Sequence, residues 1–255
     1  MGEAAAAGVH GRMPDLPVGI FDVKAEKRAF AKDRYGFAVF SSPVELVAAA
    51  DRIVLAMKPQ DVEALLPQIR DASRGKGFIS LLAGKPVQSI REGLATDHVC
   101  RFMPNIAARK GKALTAVCFT PGAGEEFKAD CLAVAGAMGT AMELPEKLFA
   151  AFTGACGCGI GFALSFLHSM ALGGVAAGLD YPTALKSAVA AAEGAVSLLS
   201  EPGSHPVELL TRVTSAGGAT IQGVKALEQG GFSGTVMEAV ESAARKARDM
   251  EAPAR

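Results

Sequence analysis

Arg52-Ile-Val-Leu-Ala-Met57, the segment Asp61 to Arg70, and Gly77-Phe-Ile-Ser-Leu-Leu82 together decide the fold. The first and last are short apolar runs and the middle one has helical character, so they form a strand, a helix and a second strand. A strand that returns through a helix lies parallel to its predecessor. Upstream, Pro17-Val-Gly-Ile-Phe-Asp-Val23 is an apolar run ending in an acid, and the charged stretch Lys24 to Arg34, with spaced Ala and Phe, reads as a helix. Ala38-Val-Phe40 and Pro43 to Ala50 repeat the alternation. Downstream, His98-Val-Cys-Arg-Phe102 and Leu114-Thr-Ala-Val-Cys-Phe119 read as strands, Glu125 to Met138 as a helix, and Ala141 to Leu144 as a last strand. The expected class is α/β, with a mostly parallel, doubly wound, Rossmann-like sheet.

After Leu144 the punctuation is helical. Asp180-Tyr-Pro182 and Ser204-His-Pro206 put Pro near a first turn, and Gly230-Gly231 puts Gly just past a last one. The boundary falls near Pro145, giving a dinucleotide-binding domain over 1–145 and an all-helical dimerisation and substrate-binding domain over 146–255. The nearly uncharged segment Ile160 to Ala177 needs cover on every side. A domain of roughly 110 residues is too small to provide it, which calls for a partner subunit.

Composition narrows the function. With 255 residues, 50% of them hydrophobic and 20% charged, the chain is folded rather than disordered. Lys plus Arg and Asp plus Glu each number 26, so no global positive field gathers nucleic acid, and a small-molecule substrate is expected instead. Five cysteines and an Ala-rich start without an export signal predict reduced thiols and a cytoplasmic location. Leu148 to Leu179 contains no Asp, Glu, Lys or Arg, and a bilayer span needs only about 20 apolar residues. Its Gly and Ala content and the lack of flanking basic clusters argue against a membrane anchor.

Asp22 ends a strand 20 positions after Gly2, the interval at which an acid in a dinucleotide fold binds the ribose hydroxyls. A solvated turn acid is the plainer alternative. The first strand and most of the glycine loop that should precede Asp22 do not follow Met1. They are expected upstream of it, because omitting a central parallel strand strips hydrogen bonds from both its neighbours. Ala56-Met-Lys-Pro-Gln60 and Arg101-Phe-Met-Pro-Asn105 each close a strand, where backbone groups line a ligand crevice. As simple turns they would look the same. Val213-Thr-Ser-Ala-Gly-Gly-Ala-Thr220 leads into a helix whose free N–H groups, with the Ser215 and Thr220 hydroxyls, suit a carboxylate. A helix-entry turn with Gly for close packing is the competing reading.

In this order and spacing the Met57-Lys-Pro-Gln60, Arg101 to Asn105 and Val213 to Thr220 motifs resemble the pyrroline-5-carboxylate reductase family, from Met1 to about Met250. The resemblance implies an enzyme of proline biosynthesis that uses NADP or NAD. It also implies a homodimer or higher homo-oligomer with intertwined helical domains. By carry-over, Ser215, Gly217, Gly218 and Thr220 hold the substrate carboxylate, with Thr220 the catalytic hydroxyl near the imine nitrogen. Met1, Gly2, Asp22, Lys24, Met57, Lys58, Pro59 and Asn105 bind the cofactor, Met1-Gly2 matching the tail of the glycine loop. Asp22 favours NAD, whereas Lys24 and Lys27 suit the extra phosphate of NADP. With no strong side-chain acid evident, the nitrogen arrives protonated or takes its proton from Thr220 or water.

The chain departs from the family in three places. Cys156-Gly-Cys-Gly-Ile-Gly-Phe162 stands for Ser-Gly-Ser-Gly-Pro-Ala-Tyr, His168 for a Glu, and Ala216 for a Pro. The C-x-C spacing without a nearby His is poor for zinc, so no metal is expected. His168 is expected to be a core or interface residue. Four rivals remain: a catalytically impaired dimer that only binds, a membrane protein anchored through Leu148 to Leu179, a reductase of a related cyclic imine, and a hydroxy-acid dehydrogenase. The last lacks a well-placed Lys in the helical half.

Overall fold

The computed structural model describes residues 1–94 and 96–251. In chain order the first half contains α1 (Gly2–Arg12), β1 (Gly19–Ile20), α2 (Ala25–Tyr35), β2 (Ala38–Val39), α3 (Pro43–Ala49) and β3 (Arg52–Leu55). Next come α4 (Val62–Ile69), β4 (Gly77–Ser80), α5 (Val87–Leu94), β5 (Val99–Met103), β6 (Ala113–Phe119), α6 (Glu125–Ala137) and β7 (Gly139–Glu143). The deciding stretch is therefore a parallel β3–α4–β4 unit, in register from Arg52 opposite Gly77 to Leu55 opposite Ser80.

Five strands form one sheet in the order β3-β4-β5-β6-β7, and β1 and β2 pair with each other as a separate parallel ribbon. Among the described residues β1 pairs with β2 alone and β3 with β4 alone, leaving an unpaired edge on each. β6 runs antiparallel to β5, which nine intervening residues allow; a parallel return needs a crossover of a dozen or more residues.

Strand alternation divides the core between the two faces. Ile79, Cys100, Phe102 and Val117 point to one side and pack with Ala4, Ala5 and Val9 of α1 and Phe127, Cys131 and Val134 of α6. Phe78, Val99, Ala116 and Cys118 point to the other, against Val47 of α3, Val62, Leu66 and Ile69 of α4, and Ile90 and Leu94 of α5. Helices on both faces make the sheet doubly wound. Each fully buried side chain such as Phe78, Ile79 or Leu94 contributes about 1.5–3 kcal/mol. Gly139 is obligatory at the start of β7: its φ is 150°, and a Cβ would lie 2.1 Å from the carbonyl oxygen of Ala113, its partner in the register. α5 is not announced by the local sequence pattern. Its only core marks are Val87, Ile90 and Leu94, a single apolar stripe on eight residues.

The later elements are α7 (Phe149–Phe152), α8 (Gly159–Ala176), α9 (Tyr181–Leu199), α10 (Pro206–Val213), α11 (Ala219–Gln229) and α12 (Phe232–Glu251), with a π-helical turn at Thr153–Gly157 between α7 and α8. Contacts group the chain into two compact units. One is Met1–Gly157 together with Ala243–Arg255, described as far as Glu251; the other is Cys158–Ser242.

In the helical unit Asp180 caps α9 by accepting from the Thr183 N–H, with Pro182 in the first turn. α10 is capped by His205, whose Nδ1 accepts from the Val207 N–H, with Pro206 in the first turn. α8 packs on α9 where Gly174 approaches Ala184, so closely that a Cβ on Gly174 would meet the Ala184 Cβ at 2.9 Å. Only Ala171 of α8 is buried within the single chain, and Leu164 and Val196 are 62% and 63% exposed. Among the described residues nothing supplies the cover this helix requires.

Candidate active site

Parallel strands β3, β4 and β5 have their carboxyl ends on the same side of the sheet, and the segments after Leu55 and Met103 therefore emerge at that end, on either side of β4. Met57 and Pro59 are half-buried there, Lys58 is exposed, and Pro59 starts a 3-10 turn to Asp61. The amino end of α1 reaches the same place, because a Cβ on Gly2 would stand 2.9 Å from the Cβ of Ala56. Met1 provides no side-chain cap, which leaves the first N–H groups of α1 free for an anion.

Asn105, 8% exposed, closes the β5 segment. Its Oδ1 accepts from the Ala107 N–H at 3.1 Å, capping the 3-10 turn Ile106–Lys110, and its Nδ2 lies 3.3 Å from Cys156 Sγ. Asp22 lies just past β1: Oδ1 accepts from the Lys24 N–H at 2.9 Å and Oδ2 pairs with Lys27 Nζ at 3.4 Å. Of the residues singled out for a dinucleotide, Met1, Gly2, Met57, Lys58, Pro59 and Asn105 thus belong to one end of the sheet. Asp22 and Lys24 belong to the β1–β2 ribbon. Free helix amides, a glycine where a Cβ would crowd the β3 end, and an acid past a strand fit a dinucleotide.

The second group of expected residues is in the helical unit. The Ser215 carbonyl accepts from the Gly218 N–H at 3.1 Å, and Gly217 takes φ 70°, the left-handed position such a four-residue turn requires. Gly218 caps α11 without a side-chain hydrogen bond, so the first N–H groups of α11 are free. A Cβ on Gly218 would stand 2.3 Å from Ser215 Oγ, so the turn folds the Ser215 hydroxyl against the helix entry. Ser215, Gly217 and Thr220 are exposed and Gly218 is half-buried.

His168 is exposed within the chain, and its Nδ1 lies 2.9 Å from the Tyr181 hydroxyl. Among the described residues no group of three His, Cys, Asp or Glu is placed to hold a metal. A surface cleft of about 360 Å3 between α4 and α5, lined by Leu66, Arg70, Lys85 and Ile90, contains none of the candidate residues.

One feature with no counterpart in the sequence reading is the environment of Arg101. Its guanidinium is fully buried, pairs with Glu146 at 2.8 Å and Glu251 at 2.5 Å, and stands 5.1 Å from the centre of the Phe149 ring. A charged residue inside the run His98 to Phe102 was the available signal; its two partners lie 45 and 150 residues away.

The fold and its strand-end crevice define a Rossmann-like dinucleotide-binding protein with a helical dimerisation region. A family model for pyrroline-5-carboxylate reductase dimerisation matches residues 146–250, and one described as NADP oxidoreductase coenzyme F420-dependent matches residues 1–84. The pyrroline-5-carboxylate reductase of Arabidopsis thaliana is 36% identical over 219 residues, covering 86% of this chain and 79% of the relative. That of Aquifex aeolicus is 34% identical over 253 residues, covering 98% and 94%. The crystal structure of Plasmodium falciparum pyrroline carboxylate reductase with NADP bound superimposes with a TM-score of 0.85 at 25% identity, covering 99% of this chain and 95% of that one. The chain belongs to the pyrroline-5-carboxylate reductase family. Its matched dimerisation region makes homo-oligomerisation part of its architecture.

Proposed function

We propose that this chain is a pyrroline-5-carboxylate reductase, reducing the imine of 1-pyrroline-5-carboxylate to L-proline at the expense of NADPH or NADH. The observation that carries the reading most is the entry to α11: a left-handed Gly217, an uncapped Gly218 and two flanking hydroxyls, an arrangement suited to the carboxylate of a small cyclic amino acid. Ser215 and the free amides hold that carboxylate. Thr220, in the first turn of α11, stands by the imine nitrogen and donates a proton to it or orients one already there.

Met1, Gly2, Asp22, Lys24, Met57, Lys58, Pro59 and Asn105 hold the dinucleotide. When bound it supplies the hydride. The chain's own residues do the rest by aligning two reactants and excluding water; such alignment is worth about 7–11 kcal/mol where the geometry is right. Asp22 accepts ribose hydroxyls in NADH, while Lys24 and Lys27 beside it tolerate the additional phosphate of NADPH.

The domains are taken as 1–145 for the cofactor and 146–255 for dimerisation and substrate. The assembly is a homodimer or a multiple of it, because α8 and α9 expose Leu164, Phe166, Leu172 and Val196, an apolar face that a second copy covers. The same cover accounts for Glu146–Ala176, among the described residues the one segment long and apolar enough to cross a membrane. The protein is placed in the cytoplasm, in proline biosynthesis, with no membrane or nucleic-acid partner.

The test uses the whole chain. NADPH or NADH fluorescence should change on binding, and oxidation of the dinucleotide should follow addition of 1-pyrroline-5-carboxylate. Thr220→Val should lower turnover about three- to tenfold, the loss of one hydrogen bond, with the circular dichroism spectrum unchanged. Absence of binding to either dinucleotide leaves a dimer that only binds, and turnover of a hydroxy acid but no imine overturns the substrate.

A further inference from the structure

Cys156 lies in the π-helical turn Thr153–Gly157, and its thiol is half-buried. Single π turns inserted in helices recur at functional sites, because the extra residue turns a side chain in a direction a regular α-helix does not offer. Here the thiol is turned onto Asn105. Asn105 Nδ2 stands 3.3 Å from Cys156 Sγ, and Cys156 Sγ stands 3.9 Å from the carbonyl oxygen of Leu114 at the start of β6. A thiol has one weak donor and weak acceptor capacity, so the relay has a definite sense: the Asn105 amide donates to sulfur and sulfur donates to Leu114.

The other end of the amide is equally committed, because Oδ1 accepts from the Ala107 N–H at 3.1 Å. With the oxygen fixed by a backbone donor and one N–H by the thiol, the orientation of the Asn105 amide is set. Among the described residues its second Nδ2–H has no acceptor in reach. That hydrogen belongs to a side chain 8% exposed, at the carboxyl end of β5, where the crevice for a dinucleotide opens. Cys158 makes no such contact; among the described residues its thiol has no hydrogen-bond partner.

From this geometry we infer that Cys156 is a positioning residue for the reduction: its sulfur anchors the Asn105 amide so that the free N–H faces the bound dinucleotide. The inference rests on the proposed reductase reading, through the cofactor role of Asn105. It assigns a task to one member of the Cys156-Gly-Cys158 pair that replaces two serines of the family pattern. Sulfur at this position keeps the acceptor that the amide needs, whereas a hydrocarbon side chain of similar size does not.

Cys156→Ala should raise the Kd for NADPH and the KM for the dinucleotide about three- to tenfold, with kcat changed less than twofold, as expected for one weak hydrogen bond that acts in binding. Cys156→Ser, which restores a hydroxyl acceptor, should recover most of the affinity, and Cys158→Ala should match the wild type. In a ¹⁵N-labelled protein the Asn105 side-chain NH2 resonances should shift in Cys156→Ala and return towards wild type in Cys156→Ser. A Cys156→Ala protein with wild-type dinucleotide affinity and unshifted Asn105 signals overturns the inference. So does a loss of thermal stability in Cys156→Ala and Cys156→Ser alike without a change in KM, since that marks a packing role. A wild-type chain that binds neither dinucleotide overturns the reductase reading itself, a result distinct from either of these.

Discussion

Replacing Arg101 by Met retains the volume of a long side chain and removes the charge. In the native protein the guanidinium is fully buried while the Glu146 and Glu251 carboxylates keep 28% and 25% of their exposure. Breaking a fully buried pair by deleting one partner costs about 3–5 kcal/mol, because the remaining charge is uncompensated. Partial hydration of both acids favours the lower end of that range. Two smaller effects act in opposite directions. Arg101 Nε is buried without a partner, so its removal recovers about 1 kcal/mol, whereas loss of the contact with the Phe149 ring costs up to about 2 kcal/mol. Glu146 also accepts from the Val87 N–H at 2.8 Å, so its displacement reaches the start of α5.

The expected net loss for Arg101→Met is therefore about 3–4 kcal/mol, a fall in Tm of roughly 6–16 °C for a chain of this size. Urea unfolding at fixed protein concentration measures it, since oligomerisation makes stability concentration-dependent. Adding Glu146→Gln and Glu251→Gln to Arg101→Met relieves the stranded charges and should restore all but about 1–2 kcal/mol. A loss under about 1 kcal/mol in the single variant would show that water screens the triad as it does a surface pair, and would refute the reasoning.

Gly218→Ala should raise the KM for the imine substrate several-fold and leave dinucleotide affinity unchanged, because its Cβ displaces Ser215 Oγ; steady-state kinetics separate the two constants. Leu164→Glu, on the exposed face of α8, should reduce the assembled mass measured by light scattering, and an unaltered mass removes that face from the interface. Burial, with Glu146 nearby, raises the Cys118 thiol to about 12, above the ~8.5 of a free thiol. The unfolded chain therefore loses this proton first. The contribution to stability is complete below about pH 8.5 and is lost as pH rises towards 12, so urea midpoints should decline over that window and decline less in Cys118→Ala.

Local patterns made much of this protein readable in one dimension. The β3–α4–β4 alternation, the Pro and Gly marks around α9, α10 and α11, and the placing of Met57 to Pro59 and Asn105 after strands depend on residues close together in the chain. So does the Gly217-Gly218 turn, whose φ demand is met by glycine itself. Charge-free Ile160 to Ala177 likewise announced a helix that the described residues leave largely uncovered.

Other features required the three-dimensional structure because their partners are remote in sequence. α5 is a helix because Val87, Ile90 and Leu94 find Val62, Leu66 and Phe78, and eight residues with one apolar stripe do not declare themselves alone. β6 turns antiparallel because nine residues are too few for a crossover, and Arg101 is tolerated in a buried strand because acids from two later segments converge on it. The contact between Asn105 and Cys156 has the same origin. Sequence determined which short segments are strands, helices and ligand-ready turns, since φ/ψ preference and capping are local; the tertiary structure decided which buried polar groups meet, since a charge or an amide away from water must be satisfied by whatever the fold brings beside it.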